Sequence, residues 1–288
     1  MRLVSEPTRP APSRPETPDV IELKALRTRQ PELADAVDLQ LALLEVHRRI
    51  HLRIPVPTLD VTEARIARHA AQRRPLVRFA DVPAEPGDLR LVLRQTSEVL
   101  HRFALIEDAA FHELEILARD GDVAAAAEAW LNRSLAMAEA SAPEDTSAGD
   151  LDQAVGLALK PFLSRCADAV QPAAGLQVWR LNRCAVCGGE AEFGVIESAE
   201  VRRLICGQCG LRWGFAADQC PFCPDGTKGS MTSFATPDRR YQVAACEVCR
   251  RYLKSYSTAH GRRPVMPAVD TLATLPLDAA AIQRGYQG

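Results

Sequence analysis

The N-terminal part of the sequence has the spacing of apolar residues that is typical of helices. Between about residues 20 and 180, apolar side chains recur every three or four positions, as at Leu33, Val37 and Leu41, which places them on one helix face. The pattern is interrupted where proline and glycine cluster, at residues 54–57, residues 75–87 and Gly121. Because these residues end or restart helices, the region is predicted to be an all-α domain of several helices.

The later helices of this region can be placed more closely. The apolar stretch 89–111 has room for two helices, and an Ala-rich helix is predicted from residue 123 to about residue 140. A polar loop at 141–150 precedes a last helix over 151–169, which Pro161 either kinks or interrupts.

The pattern changes after Trp179, where the helical period disappears and glycine, cysteine and short β-favouring runs take over. The predicted strands lie at residues 193–196, 201–205 and 241–243. The fold class is therefore predicted to be α+β. The chain is predicted to have four parts. A Pro-rich disordered tail (1–18) precedes a helical domain (19–175), which is followed by a small β-rich domain (176–262) and by a C-terminal tail that packs back on the protein (263–288).

The β-rich region contains four Cys-x-x-Cys pairs: Cys184/Cys187, Cys206/Cys209, Cys220/Cys223 and Cys246/Cys249. Two residues between the cysteines let both sulfurs of a tight turn face one ion, and two such turns supply a tetrahedral site. The separations between pairs are 18, 10 and 22 residues, and the two long ones each suit a β-hairpin. Two metal sites are therefore predicted, one in residues 184–209 and one in 220–249.

An internal repeat supports this pairing, because each unit has an Arg-Arg pair before its second Cys-x-x-Cys and a short strand after it. The first unit has Gly188 and Gly210 directly after its two cysteine pairs, whereas the second has Pro224 and Arg250. Glycine permits positive φ beside the sulfurs and proline does not, so the two sites are expected to differ in hydrogen bonding. The first pair, Cys184/Cys187, is the pair expected to carry out chemistry on a partner, because Gly188 and Gly189 leave it least hindered.

Composition limits the cellular compartment and the class of partner that are expected for this protein. The chain has 288 residues, a net charge of −2 and no apolar run long enough to cross a membrane, and residues 1–17 lack the apolar core of a signal peptide. A cytoplasmic location is therefore expected, where thiols stay reduced and Cys-x-x-Cys pairs indicate metal or redox chemistry. From Val178 onward 14 basic residues face 10 acidic ones, an excess too small to favour nucleic-acid binding.

Other residues that could carry chemistry have plainer interpretations. His47 and His51 lie one helical turn apart but lack a metal-binding motif, His101 and His112 are expected on solvated helix faces, and Cys166 is expected to be a buried core thiol. No phosphate loop, nucleophile motif or catalytic carboxylate pair is present in the sequence, so the chain is not predicted to be an enzyme. The spacing leaves open whether the metal is zinc or iron, and whether it is structural or redox-active.

Several motifs in fixed order resemble the formate dehydrogenase accessory protein (FdhE) family. They are residues 158–163 (Ala-Leu-Lys-Pro-Phe-Leu), Trp179-Arg180, the four cysteine pairs, residues 252–254, residues 270–278 and Gly285-Tyr286. The resemblance covers the chain from about residue 150 onward.

The resemblance implies a helical domain followed by rubredoxin-like modules that hold two metal ions on all eight paired cysteines, with iron favoured and zinc possible. It also implies a cytoplasmic chaperone for the catalytic subunit of formate dehydrogenase. A rubredoxin-like electron carrier or thiol-redox protein is the alternative, a zinc-ribbon nucleic-acid binder is less favoured, and a homodimer is possible.

Overall fold

A computed structural model describes residues 16–139, 149–197, 201–223 and 231–287 of the chain. Most of the predicted N-terminal tail and most of the predicted loop at 141–150 lie outside the described residues, as does Pro224. The first helix begins at Pro18, at the end of the stretch predicted to be disordered.

Seven α-helices precede the strands in the described part of the chain. They are α1 (Pro18–Arg29), α2 (Ala34–His51), α3 (Glu63–Ala71), α4 (Pro86–Arg102), α5 (Asp108–Asp120), α6 (Val123–Glu139) and α7 (Asp150–Val170). The predicted breaks are confirmed at residues 54–57 and at Gly121. The long apolar stretch does hold two helices, since α4 ends before Ala104, which has a φ of 54°.

Helix α7 is the centre of this bundle, because α2, α4, α5 and α6 all pack against it. Its side chains Leu159, Phe162 and Leu163 are fully buried. Pro161 lies inside the helix without ending it, so the alternative of a break at this residue is wrong. Burial of a long apolar helix outweighs the cost of one missing backbone hydrogen bond.

Six strands form one sheet: β1 (Ala191–Ile196), β2 (Val201–Cys206), β3 (Arg212–Ala216), β4 (Met231–Ala235), β5 (Tyr241–Cys246) and β6 (Tyr252–Ser257). Their order is β3-β2-β1-β6-β5-β4. Each cysteine unit supplies three antiparallel strands, and the units join where β1 pairs with β6 in parallel, with Val195 opposite Tyr256. The two modules therefore share one sheet, and the α+β class predicted from the sequence is confirmed.

The helices and the first module also share one hydrophobic core. A continuous cluster of buried side chains runs from Leu43 in α2, through α4 and α7, to Trp213 in β3 and Leu253 in β6. Two short helices follow the sheet, α8 (Pro267–Ala273) and α9 (Leu275–Gln283). Helix α8 packs on α1, and α9 packs on β5, so this tail contacts both halves of the chain.

Candidate metal centres

The first group of sulfurs, called the first site, brings together Cys184, Cys187, Cys206 and Cys209. All four Sγ atoms lie within 4.8 Å of one another. The distance is 3.4 Å between the sulfurs of Cys184 and Cys209 and 3.5 Å between those of Cys187 and Cys206. Cys184 and Cys187 belong to a turn before β1, and the other two belong to the turn that joins β2 to β3. The pairing across the first hairpin is the one that the spacing predicts.

The second site has the same plan, with Cys220, Cys223, Cys246 and Cys249 within 4.8 Å of one another. The sulfur–sulfur distance is 3.7 Å both for Cys220 with Cys249 and for Cys223 with Cys246. In each site a backbone N–H also points at the first sulfur, from Val186 to Cys184 and from Phe222 to Cys220, both at 3.4 Å.

The turn geometry is closely repeated, even where the sequence differs. Gly188 and Gly210 have φ values of 73° and 76°, and Arg250 takes the equivalent conformation with a φ of 59°. Each of these three residues donates its N–H to the carbonyl of the first cysteine in its pair, at 3.0 Å. Arg250 thus adopts a conformation that glycine would adopt without strain. The Arg250 side chain offsets this backbone strain by donating to the Glu247 carboxylate at 2.7 Å and by lying 4.1 Å from the centre of the Tyr286 ring.

The donor set fits a tetrahedral metal ion. A metal–sulfur bond of about 2.3 Å in a tetrahedral site separates the sulfurs by about 3.8 Å, and the closest pairs in the two sites lie at 3.4 to 3.7 Å. None of these eight cysteines is part of a disulfide. Each group can therefore hold one ion, so the described residues offer two such sites.

The pKa shifts of the buried thiols in the first site also favour a bound cation. Hydrogen bonding to Cys184 raises the pKa of Cys187, and burial raises the pKa of Cys209. Burial opposes ionisation of Cys206 as well, but hydrogen bonds from the three neighbouring thiols outweigh it and lower the pKa of Cys206. A positive charge at the centre of the cluster would favour ionisation of the buried Cys187 and Cys209 thiols.

The two sites differ most in burial. The four cysteines of the first site are at most 2% exposed and belong to the main core, whereas the second site has its own small cluster and Cys249 is partly exposed. The expectation that Cys184/Cys187 is the least hindered pair is therefore wrong. The glycines after that pair give turn geometry, and the helical bundle covers the sulfurs.

A segment between α3 and α4 of the helical region holds the first site in place. The N–H groups of Leu76 and Val77 donate to the carbonyls of Ala185 and Val186, between the two cysteines, at 2.7 and 3.2 Å. On the other cysteine pair, the Gln208 side chain reaches Ser134 of α6 at 3.3 Å. The proline-rich stretch 75–87, which the sequence marks only as a break between helices, thus covers the first site.

A charged cluster links the two modules. The Glu190 carboxylate accepts hydrogen bonds from both terminal nitrogens of Arg251, at 2.9 and 2.6 Å, and forms an ion pair with Arg183 at 3.0 Å. Arg251 also stacks on Phe222, inside the second site's first turn, at 4.0 Å. Burial works against the charge of Glu190, but the two arginines outweigh it, so the pKa of Glu190 is lowered.

The C-terminal motif at 270–278 is explained by its contacts with the sheet. Asp270 is fully buried and accepts hydrogen bonds from Tyr241 at 2.7 Å and from Arg263 at 2.7 Å. Asp278 accepts from Tyr252 at 2.7 Å and from Lys254 at 2.5 Å. The two carboxylates attach the tail helices to the second module, which spacing in the sequence could not show.

The other cysteine and histidine candidates mostly lie in the surroundings that the sequence predicts. Cys166 is fully buried, and burial raises its pKa to about 12. His101 stacks on Phe111 and lies 2.8 Å from Asp108, on the surface of the bundle. His47 and His51, by contrast, line a cleft together with Cys209 of the first site, a proximity with no signal in the sequence.

Comparison with known proteins adds one finding. No family model and no curated protein matches the sequence. Among solved structures, the crystal structure of the FdhE protein from Pseudomonas aeruginosa is similar over 93% of this chain and 91% of that one, with a TM-score of 0.64 and 19% identity. None of the helices in the described ranges has the length and apolar character that a membrane span needs. The chain therefore has the fold of FdhE, in agreement with the family resemblance of its motifs.

Proposed function

We propose that this protein is a metal-binding accessory protein that supports the maturation of formate dehydrogenase. The observation that carries the proposal is the fold shared with FdhE over nearly the whole chain. The ordered motifs from residue 158 to Tyr286 support it independently, because they include the cysteine pairs and the tail that the fold brings together. Its role would be to bind the catalytic subunit in the cytoplasm rather than to catalyse a reaction of its own.

We also propose that all eight paired cysteines are metal ligands and that two ions are bound, with iron favoured by the family resemblance and zinc possible. The sulfur–sulfur distances support four-sulfur coordination at both sites. The first site is enclosed by the core, which suits a structural ion. The second site lies near the surface beside Val248, which is 61% exposed, and would be the site that a partner reaches.

The division into a helical domain (19–175), a ribbon domain (176–262) and a tail (263–288) stays a prediction, as does a homodimer. The continuous core argues that the helices and the first module unfold together. Limited proteolysis tests the division, since cleavage near residue 175 should be slow if the core is shared.

The test of the proposed function is complementation in a host that lacks this gene. Formate dehydrogenase activity should be lost while the catalytic subunit is still detected by immunoblot, and the wild-type gene should restore activity. A Cys223→Ser variant should fail to restore it, whereas Cys166→Ala, which changes a cysteine outside both sites, should succeed. Full activity in the host without the gene would refute the proposed function.

An electron carrier is the second candidate, favoured by the partial exposure of Cys249 at the second site. Electron transfer requires an ion that changes oxidation state, so iron is needed and zinc cannot serve. A reversible one-electron change in the visible spectrum would support this candidate. Purification of the native protein with zinc in both sites would exclude it.

A further inference from the structure

Arg202 of β2 carries its guanidinium group into the interior of the protein. The residue is only 2% exposed, although arginine is almost never fully buried unless it is paired. No ion pair joins Arg202 to a carboxylate in the described ranges, whereas its neighbour Arg203 is exposed and pairs with Glu197 at 2.6 Å. A buried cation without a counter-ion is costly, so the position of Arg202 indicates an anionic neighbour of another kind.

Gly194 of β1 makes room for this side chain. A Cβ atom at Gly194 would collide with Oγ of Ser255 and would lie 3.1 Å from Cδ of Arg202. The Nε atom of Arg202 and the Oγ atom of Ser255 are both buried, and neither has a hydrogen-bond partner among the described residues. The sheet therefore provides space for the arginine without providing the charge that would balance it.

The guanidinium group ends at the second site. A terminal nitrogen of Arg202 donates to the carbonyl of Gln219 at 2.9 Å, and this carbonyl belongs to the peptide bond that joins Gln219 to Cys220. Burial lowers the pKa of Arg202 to about 10, and the charge of Cys220 acts against that shift, so the guanidinium stays ionised at neutral pH. A residue of the first module thus places a buried positive charge beside the first cysteine of the second site.

A metal-loaded second site supplies the missing negative charge. Four thiolates around one divalent ion leave two negative charges in excess. Two other arginines near this site already have carboxylate partners, since Arg250 pairs with Glu247 at 2.7 Å and Arg251 pairs with Glu190 at 2.6 Å. Arg202 has no such partner in the part of the chain that the structure describes, and its charge is therefore available to the metal complex.

We propose that Arg202 is the internal counter-ion of the metal-loaded second site, a positioning residue of the first module that favours the four-thiolate complex of the second. Its charge would stabilise the ionised sulfurs against protonation, so that the ion is held more tightly. The loaded site would in turn remove the cost of burying the guanidinium, which makes metal loading and the packing of the two modules interdependent. The proposal rests on the proposed metal binding at the second site.

Cadmium NMR on the full-length, cadmium-loaded protein tests the proposal, because each four-sulfur site gives its own resonance. The resonance that Cys223→Ser removes is the one from the second site. Both resonances are followed while a chelator is added at neutral pH, and again while the pH is lowered. Arg202→Met should weaken cadmium binding at the second site ~10- to 100-fold and leave the first site unchanged. Its second-site resonance should also disappear at a higher pH than in the wild type, because protons compete with the ion for the thiolates.

A matched control and two further variants separate charge from packing. Arg203→Met is the control and should leave both sites unchanged, since Arg203 is the next residue of β2, is exposed and points to the other face of the sheet. Arg202→Lys keeps a positive charge and should restore part of the lost affinity. Arg202→Gln replaces Arg202→Met if the latter does not fold, because its amide can still donate to the Gln219 carbonyl while the charge is removed.

The outcomes distinguish this proposal from the metal binding on which it rests. A wild-type spectrum without a second-site resonance would refute the second metal site, and the role of Arg202 with it. Two resonances with an unchanged second-site affinity in the neutral variant would refute the role of Arg202 alone. The same conclusion would follow from an equal loss at both sites, or from an Arg202→Lys protein as weak as the neutral variant, because a purely structural arginine would give these results.

Discussion

Loss of one sulfur ligand from the first site should destabilise the helical region, whereas the same loss from the second site should leave the helices folded. The first site belongs to the main core, and the backbone of Leu76 and Val77 is bonded directly to the turn between its first two cysteines. The second site forms a separate small cluster, which borders the main core at Phe222. The paired perturbations are Cys187→Ser and Cys223→Ser, each of which removes the second sulfur of the first cysteine pair in its module.

The magnitude follows from what a structural ion contributes. A four-ligand zinc site in a small peptide supplies roughly 10–16 kcal/mol of apparent binding free energy that is also folding free energy. A whole domain is stable by only about 5–15 kcal/mol. Loss of even half of the first ion's contribution therefore removes most of the stability of the core that it shares with α4 and α7. The same loss in the second site affects strands β4–β6 and the tail.

Circular dichroism at the helical band, with metal content measured on the same samples, makes the comparison. Cys187→Ser should lose most of its cooperative helical melting, whereas Cys223→Ser should keep the helical transition near the wild-type temperature and retain one ion. Cys166→Ala is the control and should cost about 1 kcal/mol, because it removes one buried sulfur without a ligand role. A Cys187→Ser protein that melts like the wild type would refute the coupling between the first site and the helices.

Three further predictions concern single side chains. Asp270→Asn should lower the free energy of unfolding by about 3 kcal/mol in denaturant titrations, since it breaks a buried ion pair, whereas the same change at the exposed Asp238 should cost less than about 1 kcal/mol. The pKa of Glu190 is lowered from 4.5, so its contribution to the free energy of unfolding should be fully present above about pH 4.5 and lost as the pH falls through the lowered pKa. Glu190→Gln should flatten this part of the plot of stability against pH, and an unchanged plot would contradict the link between the modules. After metal removal, Cys249 should be the first of the eight to be alkylated, as followed by peptide mass spectrometry; because burial raises its pKa to about 11, the rate should increase from pH 7 towards pH 11, and earlier labelling of Cys184 would contradict the difference in burial between the sites.

Much of the local structure could be predicted from the sequence, because it depends on residues that are close together in the chain. The helical period around Val37 and Leu41, the stop at Gly121 and the β-favouring runs near Phe193 and Tyr241 all became the expected elements. The cysteine pairing was also predictable, since a hairpin length fixes which turns can meet. Pro161 misled the prediction in part, because its break signal was overridden by burial of the surrounding helix.

The sequence by itself therefore determined the α+β class, the two four-cysteine groups and the motifs that resemble FdhE. Only the tertiary structure decided which sulfurs are reachable, because burial depends on what the Leu76–Val77 backbone and the helical bundle cover. It also joined the modules through β1 and β6, attached the tail through Asp270 and brought His47 and Lys160 to one cleft beside Cys209. Such contacts join residues that are distant along the chain, and no local pattern of hydrophobicity or spacing records them.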